Sequence, residues 1–287
     1  MKLFRPIRKY FSLVKFSHTV FAMPFALIGF SLGISDGDLR FSLKLLLLII
    51  LCMVFARNSA MGFNRLVDRK FDEKNPRTKN REIPSGIISP GAATLFIIIN
   101  AALFIATTYF INRLVFWLSP VALLVILGYS LTKRITALCH LILGLGLSLA
   151  PIGAYLSVTG SFNPLPVIYS FIVFTWSGGF DIIYALQDDD FDRSANLYSI
   201  PSLIGRKNAL IVSSILHSVT FMLVITAGIT GGSGYIFWAG ALIFSILLLY
   251  QHLIVKYDDL SKVNLAFGTT NGIASIIFAL FVIIDLF

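Results

Sequence analysis

Charge is what this 287-residue sequence has least of. Asp, Glu, Lys and Arg make up 13% of it, against 57% hydrophobic residues, about half the charged share of a soluble domain. So few polar groups cannot cover the surface of a water-soluble fold of this length, and that class is excluded. Acids are scarcer than bases, 14 against 23. Only two cysteines occur, Cys52 and Cys139, in separate apolar runs. With no CxxC and no neighbouring His pair, they are expected to be ordinary buried residues. No secretory signal peptide is expected. The basic start, residues 1–15, leads into an apolar run too long for a signal core and without a clear small-residue cleavage site.

What is abundant is the apolar run of about 20 residues, the length that crosses a ~30 Å hydrocarbon core. Nine are read: approximately 17–35, 41–62, 90–111, 114–132, 137–158, 165–187, 208–229, 235–255 and 264–286. The expected class is therefore an all-α, polytopic protein with nine transmembrane helices in a single membrane domain, 1–287. The net charge of +9 then points to the lipid bilayer and anionic substrates, not to nucleic acid.

Basic residues orient the chain. With the N-terminus in the cytoplasm and alternating spans, 20 of the 23 Lys and Arg residues fall on the inner side, leaving only Arg40, Lys44 and Arg113 outside. This positive-inside bias predicts a multi-pass protein of the cell inner membrane, with its active loops cytoplasmic and its C-terminus outside.

Two inner segments, 63–89 and 188–206, are longer and more charged than the rest. The first opens with NRLVDRKFD, Asn64 to Asp72. The second follows span six, in DIIYALQDDDFD, Asp181 to Asp192. At 100° per residue, Asn64, Asp68 and Asp72 fall at about 0°, 40° and 80° on a helix. Asp181, Tyr184, Asp188 and Asp192 share an arc of about 80°, while Asp189 and Asp190 point elsewhere. Carboxylates one turn apart suit Mg²⁺, which takes one or two of them plus phosphate oxygens. Asp68 to Asp188 and Asp72 to Asp192 are each 120 residues apart, with four spans between. The pattern predicts two pseudo-repeated four-helix units with a site at their interface.

A charged cluster in a loop is ordinarily just solvated. Asp258, Asp259 and Asp285 are expected to be so, as are Arg65, Arg69, Lys70, Lys74 and Lys79. Asp181 differs, because it interrupts an apolar run where an unpaired carboxylate costs roughly 2.5–3.5 kcal/mol. His18 and His140 are expected to be hydrogen-bonded packing residues, and Pro24 and Pro151 to bend helices.

SHTVFAMPFAL (Ser17 to Leu27), NRLVDRKFDEKNPRTKNREIPSG (Asn64 to Gly86), YSLTKR (Tyr129 to Arg134) and DIIYALQDDDFD together resemble the UbiA superfamily of intramembrane aromatic prenyltransferases. The branch they resemble is the 4-hydroxybenzoate polyprenyltransferase-like one. The resemblance implies nine helices around a central cavity that opens sideways to lipid. It also implies a polyprenyl diphosphate held through Mg²⁺ and an aromatic acid as acceptor. Asn64, Asp68 and Asp72 resemble the first metal–diphosphate motif. Asp188 and Asp192 resemble the second, with Asp181 and Tyr184 as its inner members. Arg77, Arg81, Lys133 and Arg134 match basic positions that hold phosphate oxygens. Gln187 departs from the enterobacterial form, and Gln187-Asp188 with Ser199-Ile200-Pro201 also fits members that prenylate 1,4-dihydroxy-6-naphthoate for menaquinone. The rival of another class is a cation-coupled secondary transporter, whose acids would sit nearer the membrane midplane.

Overall fold

The structure is a computed structural model that describes residues 9–10, 12–14, 21–37 and 40–287. His18 and the basic residues Lys2, Arg5, Arg8 and Lys15 lie outside the described residues. Every regular element is helical. In order they are α1 (Met23–Gly37), α2 (Leu43–Lys74), α3 (Pro90–Tyr109), α4 (Arg113–Thr132), α5 (Cys139–Thr159) and α6 (Pro164–Ala185). Then come α7 (Asp189–Ser194), α8 (Ile200–Thr230), α9 (Tyr235–Ile254) and α10 (Asn271–Leu286). A 3₁₀ turn, Leu186–Asp188, joins α6 to α7, and a π-helical segment, Leu265–Thr270, leads into α10.

Among the described residues eight stretches are long and apolar enough to cross a membrane, and α1 is a shorter apolar helix. Leu95, Ile98, Leu124, Leu242 and Leu253 are exposed on the bundle's exterior, where a bilayer rather than water is the favourable solvent. The chain is a multi-pass membrane protein.

Local chemistry sets the helix starts. Ser42, Ser89, Asn112 and Asn163 each accept a hydrogen bond from a backbone N–H in the first turn of α2, α3, α4 and α6. Pro90 and Pro164 occupy first positions, where the missing N–H costs nothing. Ser199 and Ser202 form a reciprocal capping box on α8.

Two boundaries differ from the sequence expectation in ways that shape the site. The second span does not end near residue 62: α2 runs 32 residues to Lys74, about 48 Å. Its last turns project beyond the ~30 Å hydrocarbon core and carry the first acidic motif on an uninterrupted helix. The second motif is not on one helix. Regular α-structure stops at Ala185, and Asp188 has non-helical φ −112° and ψ 1°. Helix α8 also begins at Ile200, earlier than expected, and kinks at Gly205, whose φ of +80° with ψ 161° is open only to glycine.

The centre of the bundle packs α1, α6, α8, α9 and α10 around Phe25, Trp176, Phe180, Phe237, Phe244 and Phe278. Helix α1 lies so close to α5 that a Cβ on Gly29 would collide with the Pro151 carbonyl. On the other side residues of α2, α4, α5 and α6 line a cavity of about 670 Å³. It reaches the flank of the bundle beside α4, where lining residue Val121 is exposed. At the end opposite the motifs, Asp285 is not simply solvated. It accepts from the Gly234 and Phe237 N–H groups, 2.8 and 3.1 Å, at the start of α9.

Candidate active site

The last turns of α2 supply one wall of the cavity mouth. Asn64, Asp68 and Asp72 all line it, as their shared helix face requires. The Asn64 amide donates to Asp68 Oδ2 at 3.1 Å. Arg134, just past the end of α4, donates from Nη2 to Asp68 Oδ1 at 2.9 Å and to the Val67 carbonyl at 2.8 Å. Arg81 pairs with Asp72 Oδ1 at 2.7 Å. Asp72 Oδ2 is buried without a hydrogen-bond partner, an acceptor ready for a ligand.

The chain after α2 folds back over the opposite wall. Asn75 accepts from the Arg77 N–H through its side-chain oxygen, 2.9 Å, which tightens the turn. That turn sends the Asn75 amide to Asp188 Oδ1 at 3.1 Å and Arg77 Nε to the same oxygen at 2.9 Å, with Arg77 Nη2 on Oδ2. Arg77 Nη1 donates to the Tyr184 hydroxyl at 2.9 Å. Lys133 Nζ lies 2.7 Å from Asp192 Oδ1. Burial alone would pull the Arg77 and Lys133 pKa values down. The Asp188 and Tyr184 oxygens around Arg77, and Asp192 beside Lys133, outweigh it and hold both cations above their ordinary values. All four motif aspartates thus sit at one cavity mouth, each against a different cation. Asp189 and Asp190 turn away and bind Arg206, at 2.7 and 2.9 Å.

About two helical turns deeper stand four more polar residues, Asp181, His140, Arg57 and Tyr129. Asp181 Oδ2 is 2.7 Å from His140 Nδ1, and the Ile200 N–H points at His140 Nε2, 3.3 Å. A backbone N–H can only donate, so Nε2 accepts and Nδ1 carries a proton that it donates to Asp181 Oδ2. His140 is buried and hydrogen-bonded, as expected from sequence, and its partner is the acid that interrupts the apolar run. Arg57 faces the same cavity from α2, with Tyr129 between them on α4.

The model of the UbiA prenyltransferase family matches residues 22–281. The chain belongs to that family. It is 30% identical over 234 residues to the 4-hydroxybenzoate octaprenyltransferase of Aliivibrio fischeri, covering 81% of each chain. To the enzyme of that name from Vibrio atlanticus it is 31% identical over 242 residues, 83% of this chain and 82% of the relative. Among solved structures it is similar to the apo UbiA homologue of Aeropyrum pernix K1. There the TM-score is 0.84 at 30% identity, over 94% of this chain and 98% of that one. The Archaeoglobus fulgidus UbiA homologue, solved with DMAPP and Mg²⁺, superposes with a TM-score of 0.75 at 24% identity, over 97% and 99%. The protein is a prenyltransferase enzyme of the membrane.

Several cavity residues of this UbiA-family enzyme were not singled out from its sequence. Arg65, expected to be a solvated loop charge, is 3% exposed, lines the cavity, and leaves Nε without a partner. It follows Asn64 on what proves to be helix, and a helix in that place turns its neighbour inward too. Arg57 had been counted only as an inner-end charge. Asn75 carries no charge and left no signal beyond its place in NPRT.

The donor set fits Mg²⁺. Asn64, Asp68, Asp72, Asp188 and Asp192 offer only hard oxygen ligands, and Asp72 Oδ2 is orphaned. Among the described residues no three acidic, His or Cys side chains form a closed metal cage. That is the arrangement expected where phosphate oxygens and waters complete the coordination.

Proposed function

We propose that this enzyme transfers a polyprenyl group from polyprenyl diphosphate to the ring of an aromatic acid, with 4-hydroxybenzoate as the lead acceptor. The observation that carries this reading is the convergence of four aspartates and four cations, from segments over 100 residues apart, at the mouth of one apolar cavity. A soluble aromatic acid and a lipid-borne diphosphate can meet only at such a place.

Asn64, Asp68, Asp72, Asp188 and Asp192 would hold Mg²⁺ against the diphosphate, and the ion would supply positive charge to stabilise the leaving pyrophosphate. Arg77, Arg81, Lys133 and Arg134 exchange their present carboxylate partners for phosphate oxygens, and Arg65 adds a further cation. The allylic C–O bond breaks and pyrophosphate leaves with the electron pair. The apolar walls below exclude the water that would turn the allylic cation into an alcohol, and the polyprenyl tail stays in lipid beside α4. Arg57 takes the carboxylate of the acceptor. The ring carbon next to the hydroxyl forms the new C–C bond. Asp181, oriented by its hydrogen bond to His140 Nδ1, accepts the proton from that carbon, and the C–H electron pair restores aromaticity. The protein stands in the inner membrane with the acidic mouth on the cytoplasmic side, where water-soluble acids are supplied.

The Ser199-Ile200-Pro201 segment touches the site through the Ile200 N–H on His140, so 1,4-dihydroxy-6-naphthoate is the competing acceptor. Purified protein incubated with Mg²⁺, a prenyl diphosphate and each acid in turn, with products identified by mass, decides. A prenylated product with neither acid would overturn the aromatic-acid reading.

A further inference from the structure

The start of the last membrane helix is wound too wide. Residues 265–270 are π-helical, a form that is rare and recurs at functional sites. Asn271 holds it there. This side chain is fully buried, and its amide nitrogen donates to the Ala266 and Phe267 carbonyls, 3.0 and 3.1 Å. Its oxygen accepts from Trp176 Nε1 on α6, 2.9 Å, and from Gln251 Nε2 on α9, 2.8 Å. Because an indole N–H can only donate, the amide orientation is fixed, and all four of its hydrogen-bonding positions are used. So complete a buried network specifies one backbone arrangement.

That arrangement aims Phe267 into the active cavity, where it lies against Tyr184 with centroids 4.0 Å apart and planes 26° apart. Phe21 and Phe180 pack edge-on to it, at 5.4 and 5.5 Å. Tyr184 in turn accepts from Arg77, which grips Asp188. Through Tyr184, Phe267 closes a chain from the π segment to the acidic mouth.

We propose that Phe267, set by Asn271 and the π segment, is a positioning residue for the prenyl diphosphate. It backs Tyr184 so that the hydroxyl holds Arg77 at the acidic mouth, within reach of the diphosphate, and it does so without contacting the acceptor. This rests on the diphosphate site proposed above, but not on which acceptor is used.

The test reads binding of a non-ionisable prenyl thiodiphosphate with Mg²⁺, by titration calorimetry on the full-length protein in nanodiscs. Phe267→Leu should weaken binding roughly five- to tenfold, the order expected when one stacked pair is lost. Phe267→Tyr, which keeps the stack, should bind within about twofold of wild type. Acceptor KM should be unchanged in both, and thermal midpoints should show that both fold. Unchanged binding in Phe267→Leu, or equal loss in Phe267→Tyr, overturns the proposal. A shift confined to acceptor KM overturns it as well. If wild type itself fails to bind the analogue, the diphosphate site is what has failed.

Discussion

The two acidic motifs each bring two aspartates to the cavity mouth and are built in opposite ways. The first rides the free end of one long helix: Asp68 keeps 25% of its side chain exposed. The second sits where a helix breaks, and Asp192 is 1% exposed against Lys133. An acid on a protruding helix end can be repelled or neutralised at little structural cost. A buried acid such as Asp192 cannot lose its cation without leaving an uncompensated charge. The difference teaches that the first motif is free to adapt to a ligand while the second is part of the scaffold that presents it.

The sharpest way to break this comparison is to remove one acid from each motif. Asp68→Ala and Asp188→Ala should both lower transfer at least roughly 10³-fold, the size expected when a preorganised charge at the reacting group is lost, with membrane insertion intact. Wild-type turnover by either variant would remove the basis for pairing the motifs. Chelation should likewise reduce transfer to background, restored by Mg²⁺. The thermal midpoint should barely move, because the acids are already paired with Arg134, Arg81, Arg77 and Lys133.

Stability should separate the motifs where activity does not. Lys133→Met strands the buried Asp192 carboxylate and is expected to cost about 3 kcal/mol. Asp68→Ala, which frees a half-exposed Arg134, should cost under about 1 kcal/mol. Equal losses in thermal unfolding would erase the distinction. Arg65→Leu should raise the KM for prenyl diphosphate roughly tenfold while leaving the midpoint unchanged or higher, since it removes a buried cation lacking a full set of partners.

The smallest effect is with pH. Lys133 has its folded pKa raised above the ordinary 10.5, so its pairing with Asp192 stabilises fully below that value and is lost only as pH rises past it. The midpoint difference between wild type and Lys133→Met should therefore stay flat between about pH 6 and 9. A fall within that window would show that the pair titrates there.

Much of the site was legible because its acids recur at helical spacing: Asn64, Asp68 and Asp72 share a face however the rest folds. Asp181 stood out because an acid in an apolar run is costly. His140 did not, since nothing local says that a histidine at the start of one span meets an aspartate 41 residues later. Arg65 was misread because a basic residue beside a motif has the same sequence signature whether it faces water or the cavity. The break after Ala185 and the π segment at 265–270 were illegible because their hydrogen bonds are resolved by side chains from other helices, as at Asn271.

The sequence by itself determined the membrane class, the helical spans and the presence of two acidic faces, because hydrophobic length and a 3.6-residue period are properties of contiguous residues. Only the tertiary structure decided which cation each aspartate meets, that Arg65 and Arg57 face inward, and that Phe267 backs Tyr184. Those pairings join residues distant in the chain, and their energies depend on burial and distance, which exist only once the helices have packed.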